Sequence, residues 1–272
     1  MQEKIWFQRW ITEGYSVRQL SLQSKHSRAK LYRIINYCLN TESPDIETNL
    51  NQYQYLLFDG TFLHRPICLV ALMDATSNKI ISGKYDIKET AERQLTSFFR
   101  LLKDRGLQPI SFTVDGNPQA IKIIKTAWPE IVIQRCLVHI QRQGLSWCRI
   151  SPKTAGARKL RALFLQITRI RTFQDRDYFL ESLAQWEYLY GRDIHNRPEK
   201  GRVFSDIKRA RSMLLKALPD MFNYLENQQI PSSTNSLEGY FSRLKGHYRQ
   251  HRGLSKAKLE SYFDWYFFFK QK

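Results

Sequence analysis

Tyr55-Leu56-Leu57-Phe58-Asp59-Gly60 decides the fold. It is a short apolar, β-prone run that closes on a carboxylate followed by glycine, and it reads as a strand over 55–59. A second run, Ile110-Ser111-Phe112-Thr113-Val114-Asp115-Gly116, has the same form. Between them, strands are expected at 66–73 and 79–86, joined by a turn at Thr76-Ser77-Asn78. A helix is expected from Ala91 to Arg105, with Leu95, Phe98, Phe99, Leu101 and Leu102 as its buried stripe and Gly106 at its end. After the strand at 110–114 come a helix over Pro118 to Ala127, a short strand Ile131-Val132-Ile133, and a helix from about Leu137. Three meandering strands followed by helix, strand, helix and strand give the element order of a ribonuclease H-like core. In that order the first and fourth strands are neighbours, which brings Asp59 and Asp115 side by side.

The remainder of the chain is read around this core. The first forty residues are expected to form a helix-turn-helix. A helix over Ile5 to Glu13 carries Trp6, Phe7, Trp10 and Ile11 on one side and ends at Gly14. Ser16 caps a second helix, with Gln19 as reciprocal partner and Leu20 and Leu22 inward. Ser27 starts a third, with Leu31, Ile34 and Ile35 inward and Arg28, Lys30 and Arg33 outward, the arrangement a recognition helix needs in a major groove. A generic three-helix bundle with a solvated basic face shares this pattern. Residues 41–54 read as a linker and 55–150 as the first part of the core. Residues 151–230 read as an all-helical insertion, with stripes Leu160/Leu163/Phe164/Ile167, Tyr178/Leu180/Leu183/Trp186 and Met213/Leu214/Leu218/Met221. Residues 231–272 return to the core as helices that carry a third acid, Glu238, in the stretch Thr234-Asn235-Ser236-Leu237-Glu238-Gly239. The fold class is therefore α/β.

Composition bounds the partner. The 272 residues include 43 Lys and Arg against 25 Asp and Glu, a formal net charge of +18. An excess of that size fits a polyanion, and nucleic acid is the commonest one. The positive residues are not spread evenly. No acid lies between Glu130 and Asp175, a span that holds Arg135, Arg142, Arg149, Lys153, Arg158, Lys159, Arg161, Arg169 and Arg171. None lies between Glu238 and Glu260, where Arg243, Lys245, Arg249, Arg252, Lys256 and Lys258 occur. Acid-free arginine-rich segments next to the third carboxylate suit a duplex backbone. The four cysteines are widely spread and define no disulfide framework, and no stretch reads as a signal peptide or membrane span. A reducing cytoplasmic location is the expectation.

Three carboxylates drawn from two strand ends and a helix are the ligands that two Mg²⁺ ions a few ångströms apart require. An Asp-Gly after a strand is also a common turn, and Glu238 alone is an ordinary helix-surface carboxylate. Lys245 follows Glu238 by seven residues on the same helix face, placed for a phosphate contact or simply solvated. Asn235 precedes Glu238 by three. Cys136 and His139 have zinc-like spacing, but a structural zinc needs about four ligands and no second pair completes the set, so no zinc is expected. Trp128, Trp147 and Trp186 read as core.

Asp59-Gly60, Val114-Asp115-Gly116-Asn117, Cys136-Leu137-Val138-His139 and Thr234-Asn235-Ser236-Leu237-Glu238-Gly239 occur in that order. The ordered set resembles the DDE transposases of bacterial insertion sequences, Mutator-like type, over roughly residues 53 to 269. The resemblance implies a ribonuclease H-like core with a helical insertion before the Glu and a Cys-x-x-His signature after the second Asp. It also implies Mg²⁺-dependent strand cleavage and strand transfer, with Mn²⁺ as a substitute. Asp59, Asp115 and Glu238 would then be catalytic metal ligands. His139, Arg142, Asn235, Arg243, Lys245 and Arg249, with Arg28, Lys30 and Arg33, would contact DNA. The expected partners are double-stranded DNA, both element terminal repeats and target, and further copies of the chain on that DNA, in a prokaryotic cytoplasm at the nucleoid. Two other readings share these residues: a decayed transposase acting as a helix-turn-helix regulator, and a nuclease on the same fold that cuts without joining.

Overall fold

The computed structural model describes residues 3–44, 49–65, 67–87, 91–196, 202–251 and 253–271. One unit comprises residues 1–110, 122–130 and 235–272, and the other comprises 111–121 and 131–234. The five strands are β1 (Tyr55–His64), β2 (Ile67–Asp74), β3 (Ile80–Tyr85), β4 (Ser111–Val114) and β5 (Val132–Arg135). They form one mixed sheet in the order β3-β2-β1-β4-β5. The architecture is α/β, and the first and fourth strands are neighbours as the element order requires.

In the first unit β1, β2 and β3 form an antiparallel meander, with Asp59 opposite Ala71 and Leu72 opposite Ser82. Asp74 makes the β2–β3 turn by accepting from the Ser77 amide at 2.7 Å and its hydroxyl at 2.6 Å. The two faces of β1 have different neighbours, as the period of two dictates. Phe58 packs against Phe98 and Phe99 of α4 (Glu92–Asp104). Leu57 belongs instead to a core built by helices from both ends of the chain: α1 (Lys4–Glu13), α2 (Val17–Ser24), α3 (Arg28–Leu39), α12 (Asn235–Arg249) and α13 (Lys256–Gln271). The Ser16–Gln19 capping box expected for α2 is present. Where β3 meets α13, the absence of a side chain at Gly83 admits the Phe267 ring, which lies 2.2 Å from where a Cβ would stand. Tyr85 stacks on Phe263 one helical turn earlier, with ring centroids 5.0 Å apart.

The second unit holds β4 and β5, which pair in parallel, with α5 (Pro118–Ala127) divided between the two units. Its helices are α6 (Leu137–Cys148), α7 (Ala155–Ile167), α8 (Phe173–Trp186), α9 (Arg192–Asn196), α10 (Arg202–Ala217) and α11 (Asn223–Glu226). Thr154 and Thr172 cap α7 and α8. A π-helical turn, Glu187–Gly191, follows α8, and Glu187 there holds Arg211 of α10 in a bidentate ion pair whose shortest contact is 2.6 Å.

Several expectations need correction. β1 does not end at Asp59; it continues through Gly60 to His64, because Phe62 and Thr61 find partners on β2. Asp59 is thus a mid-strand residue with a buried side chain, 6% exposed. Leu22 of α2 is 78% exposed, since α2 offers only one buried position, Leu20. Leu101 of α4 likewise faces out at 58%. On α8 the buried stripe is Phe179, Leu183 and Trp186, and Tyr178 is 64% exposed, a shift of one residue around the helix. Leu180 is exposed as well. Trp128 and Trp186 are core, each donating its indole N–H to a carbonyl, of Leu107 at 3.0 Å and of Gly156 at 2.8 Å. No helix among the described residues is long and apolar enough to cross a membrane.

His251 gives the core a pH dependence. It is buried against Trp10, and its Nε2 donates to the Trp10 carbonyl at 2.8 Å. Burial pushes its pKa down to about 4; the Trp10 contact opposes this, and His247 adds to it. The unfolded chain takes up a proton near the ordinary value of 6.5 while the folded one stays neutral. This group's share of stability is therefore complete above that value and is lost as the pH falls towards 4. The loss is about 3 kcal/mol. Urea titrations at pH 7.5 and 4.5 should show it, and His251→Phe should flatten it. An equal acid loss in the variant would remove His251 as the cause.

Candidate active site

Asp59 and Glu238 come from opposite ends of the sequence and meet because α12 lies along β1. Asp59 and Thr61 are two apart on the strand, so both point to the helix-covered face. Glu238 and Lys245 are seven apart on α12 and share its face. The pairs match: a carboxylate oxygen of Asp59 and one of Glu238 lie within 4.8 Å of each other. Lys245 Nζ donates to Thr61 Oγ1 at 2.5 Å. Gly60 fixes the Asp59 carboxylate by donating its amide to Oδ1 at 2.8 Å.

Lys245 is held below its ordinary pKa, first by burial and then by Arg249, while Cys68 and Asp59 pull it back up. Arg243 and Arg249 project from the same helix into solvent, as does Asn235 in its first turn. Their direction follows from the buried positions Leu237, Tyr240, Phe241 and Leu244 on the other side of α12.

Asp115 stands just past the end of β4 in the second unit. Its Oδ1 accepts from the Asn117 amide at 2.9 Å, and the Asn117 side chain accepts from the amides of Gln119 and Ala120 at the start of α5. Gly116 adopts φ +110°, and the Arg135 guanidinium lies against its Cα so closely that a Cβ would stand 1.8 Å from Nη2. Arg135 Nη2 also donates to the Asp115 carbonyl at 3.4 Å. Burial lowers the Arg135 pKa, with Asp115 and Asp220 opposing. The loop is thus fixed by local bonds of the kind Asp-Gly-Asn sequences make.

His139 lies in the first turn of α6, half-buried, with its Nδ1 3.4 Å from Thr234 Oγ1. Cys136, fully buried, accepts from the Thr234 amide at 3.3 Å and hydroxyl at 3.5 Å. Burial pushes the Cys136 thiol up, but hydrogen bonds from His139 and Thr234 outweigh it and leave the pKa below its ordinary value. Thr234 had been quoted only as part of a motif; its partner is 98 residues away, and no local signal marks it.

Arg142 is exposed on α6. At the N-terminus Arg28 and Arg33 of α3 are exposed, whereas Lys30 is half-buried and paired with Glu3 at 2.9 Å. Arg252 lies outside the described residues.

Residues 59–252 match the family model of the transposases of the Mutator family, a span from the first acid to beyond α12. The chain belongs to that family. The match spans Asp59, Asp115, Cys136, His139 and Glu238, so the three candidate acids of this Mutator-family transposase lie within the matched residues. No curated protein matches the transposase. Oxygen donors at the separation of Asp59 and Glu238 suit a hard divalent cation. With Mg–O near 2.0–2.1 Å, two oxygens on one ion stand up to about 4.2 Å apart, so little closure is needed.

Proposed function

We propose that this transposase is a DDE enzyme that cleaves DNA at the ends of its insertion sequence and joins the freed 3′-hydroxyl to a target phosphodiester. The observation that carries the reading is the close approach of the Asp59 and Glu238 carboxylates across β1 and α12. Asp115 enters as the third acid because it closes an apolar strand run before glycine, as Asp59 does, and stands at the end of β4. In the proposal Asp59, Asp115 and Glu238 hold Mg²⁺, or Mn²⁺ in its place, and His139 serves the same cluster by orienting a phosphate. When bound, two such ions supply activation of the attacking oxygen and stabilisation of the leaving one, so that an in-line displacement needs no covalent enzyme intermediate.

The chain's own groups do the rest. Lys245 holds the phosphate whose bond is exchanged, and the Thr61 hydroxyl keeps the ammonium aimed along β1. Arg243, Arg249, Arg142 and Asn235 seat the duplex backbone through exposed side chains that cost little to reorganise. The helices α2 and α3 form the helix-turn-helix that finds the element ends through Arg28 and Arg33, and Lys30 joins them by exchanging Glu3 for a DNA phosphate. Copies of the chain bound to the two ends bring them together.

A strand-transfer assay tests this. A duplex carrying the element's terminal inverted repeat is incubated with protein, a target plasmid and Mg²⁺ or Mn²⁺, with Glu238→Gln as control. Joined products are expected with either ion and none with the variant. Cleavage without joining would make the protein a nuclease. Tight binding with neither product would leave the regulator.

A further inference from the structure

We propose that the turn between α6 and α7, residues 149–154, is a wedge that inserts Ile150 between base steps of a DNA duplex and bends it. The wedge takes duplex DNA as its partner, as the proposed function does, and needs none of the metal ligands. All its residues lie within the second unit. Ile150 is 88% exposed, and no large apolar side chain among the described residues is more so. A single exposed apolar residue is ordinary on a protein surface. Three features set this one apart.

The backbone that presents it is strained. α6 ends at Arg149 with φ 63° and ψ 169°, a region that residues other than glycine occupy only at a cost. α1 also ends on a positive φ, and there the residue is glycine, Gly14. The chain therefore keeps an arginine where glycine would fit without strain. The turn is also braced. Arg161 Nε of α7 donates to the Ile150 carbonyl at 3.4 Å, and Arg158 Nη1 donates to the carbonyls of Pro152 at 3.3 Å and Lys153 at 2.8 Å. Pro152 fixes its own φ, and Thr154 caps α7 directly after it. Tied at these points, the turn holds Ile150 out of the core. Lastly, the surroundings are positive. Arg149, Lys153, Arg158 and Lys159 are exposed, and the sequence has no acid from 131 to 174. Asp206 reaches the turn, 3.7 Å from Arg149 Nη2, and lies 3.9 Å from Arg209 as well.

One isoleucine is too small to carry a protein–protein interface, which takes about 800 Å² from each partner. It is enough for a base step. An inserted apolar side chain unstacks the step and kinks the duplex, and flanking cations hold the phosphates on either side.

The whole protein, without divalent metal, is bound to a duplex that carries the element's terminal inverted repeat and a dye at each end. Energy transfer between the dyes reads bending, and permanganate oxidation reads unstacked thymines wherever they fall. With wild type the ends should draw together and adjacent thymines should become reactive. Ile150→Ala should bind within about 3-fold of wild type, because unstacking costs roughly what the bent contact returns, and it should lose both signals. Ile150→Leu should keep both. An Ile150→Ala protein that bends and unstacks DNA as wild type does would overturn the wedge and leave DNA binding standing. Wild type that binds with neither signal would overturn it too. If wild type binds no duplex, DNA fails as the partner and the wedge fails with it.

Discussion

Asp59→Asn and Glu238→Gln are each expected to abolish DNA cleavage, with single-turnover rates falling more than about 100-fold, the upper end of what the loss of even an outer-shell partner costs. The amides keep the size and much of the hydrogen bonding of the acids, so the Gly60 amide still finds an oxygen at Asp59. What they lose is the charge that a divalent ion must be held by. DNA affinity should be unchanged or slightly higher, because affinity comes from the arginines and lysines and each substitution removes a negative charge near the phosphates. Asp115→Asn, at the third acid of the proposal, should behave in the same way. Quenched-flow cleavage paired with a binding isotherm at one fixed salt concentration separates the effects. Cleavage within a few-fold of wild type in any one variant would strike that residue from the ligand set. Equal loss of binding and cleavage would indicate a damaged fold.

What the sequence could and could not disclose follows from the range of the forces involved. The strands and their order were legible because apolar runs ending in Asp-Gly are local patterns, and α2 was legible from its Ser16–Gln19 box. The meeting of Asp59 with Glu238 was reachable only through element order and family resemblance, since 179 residues separate them. The extent of β1 was misjudged for a similar reason. Gly60 reads as a turn residue in isolation, but the eight-residue β2 alongside supplies hydrogen-bond partners as far as His64 and draws the chain through it. On α8, Tyr178 and Phe179 are equally apolar by type. Which of them is buried is decided by Phe222, whose ring meets that of Phe179 with centroids 6.1 Å apart and comes from 43 residues downstream. The Thr234–Cys136 fastening has no local signature at all, and only the folded backbone brings the two together.

Trp265→Ala is expected to destabilise the protein by about 3–5 kcal/mol, the usual range for an aromatic deleted from a core. Trp265 of α13 is 2% exposed. Its indole N–H donates to the carbonyls of Cys38 at 3.0 Å and Thr41 at 3.2 Å, which end α3 and the turn after it. Its ring meets Phe7 of α1 edge-on and stacks on Phe269, both with centroids 5.4 Å apart. One side chain therefore joins the first and third helices to the last. The same core contains Leu57 on β1, two residues from Asp59 and on the same strand face. The N-terminal helices and the strand that carries the first acid should accordingly unfold together, and cleavage should vanish at the urea concentration where α1–α3 melt. Trp265→Phe should lose less, about 1–3 kcal/mol, because a six-membered ring still fills most of the site while the pyrrole ring and the donor to the two carbonyls are lost. Urea denaturation followed by both tryptophan fluorescence and residual cleavage reads all three proteins. Two separated transitions in wild type, with cleavage surviving the first, would show that the N-terminal helices are held apart from the catalytic strands, and the shared core would then carry none of the stability assigned to it.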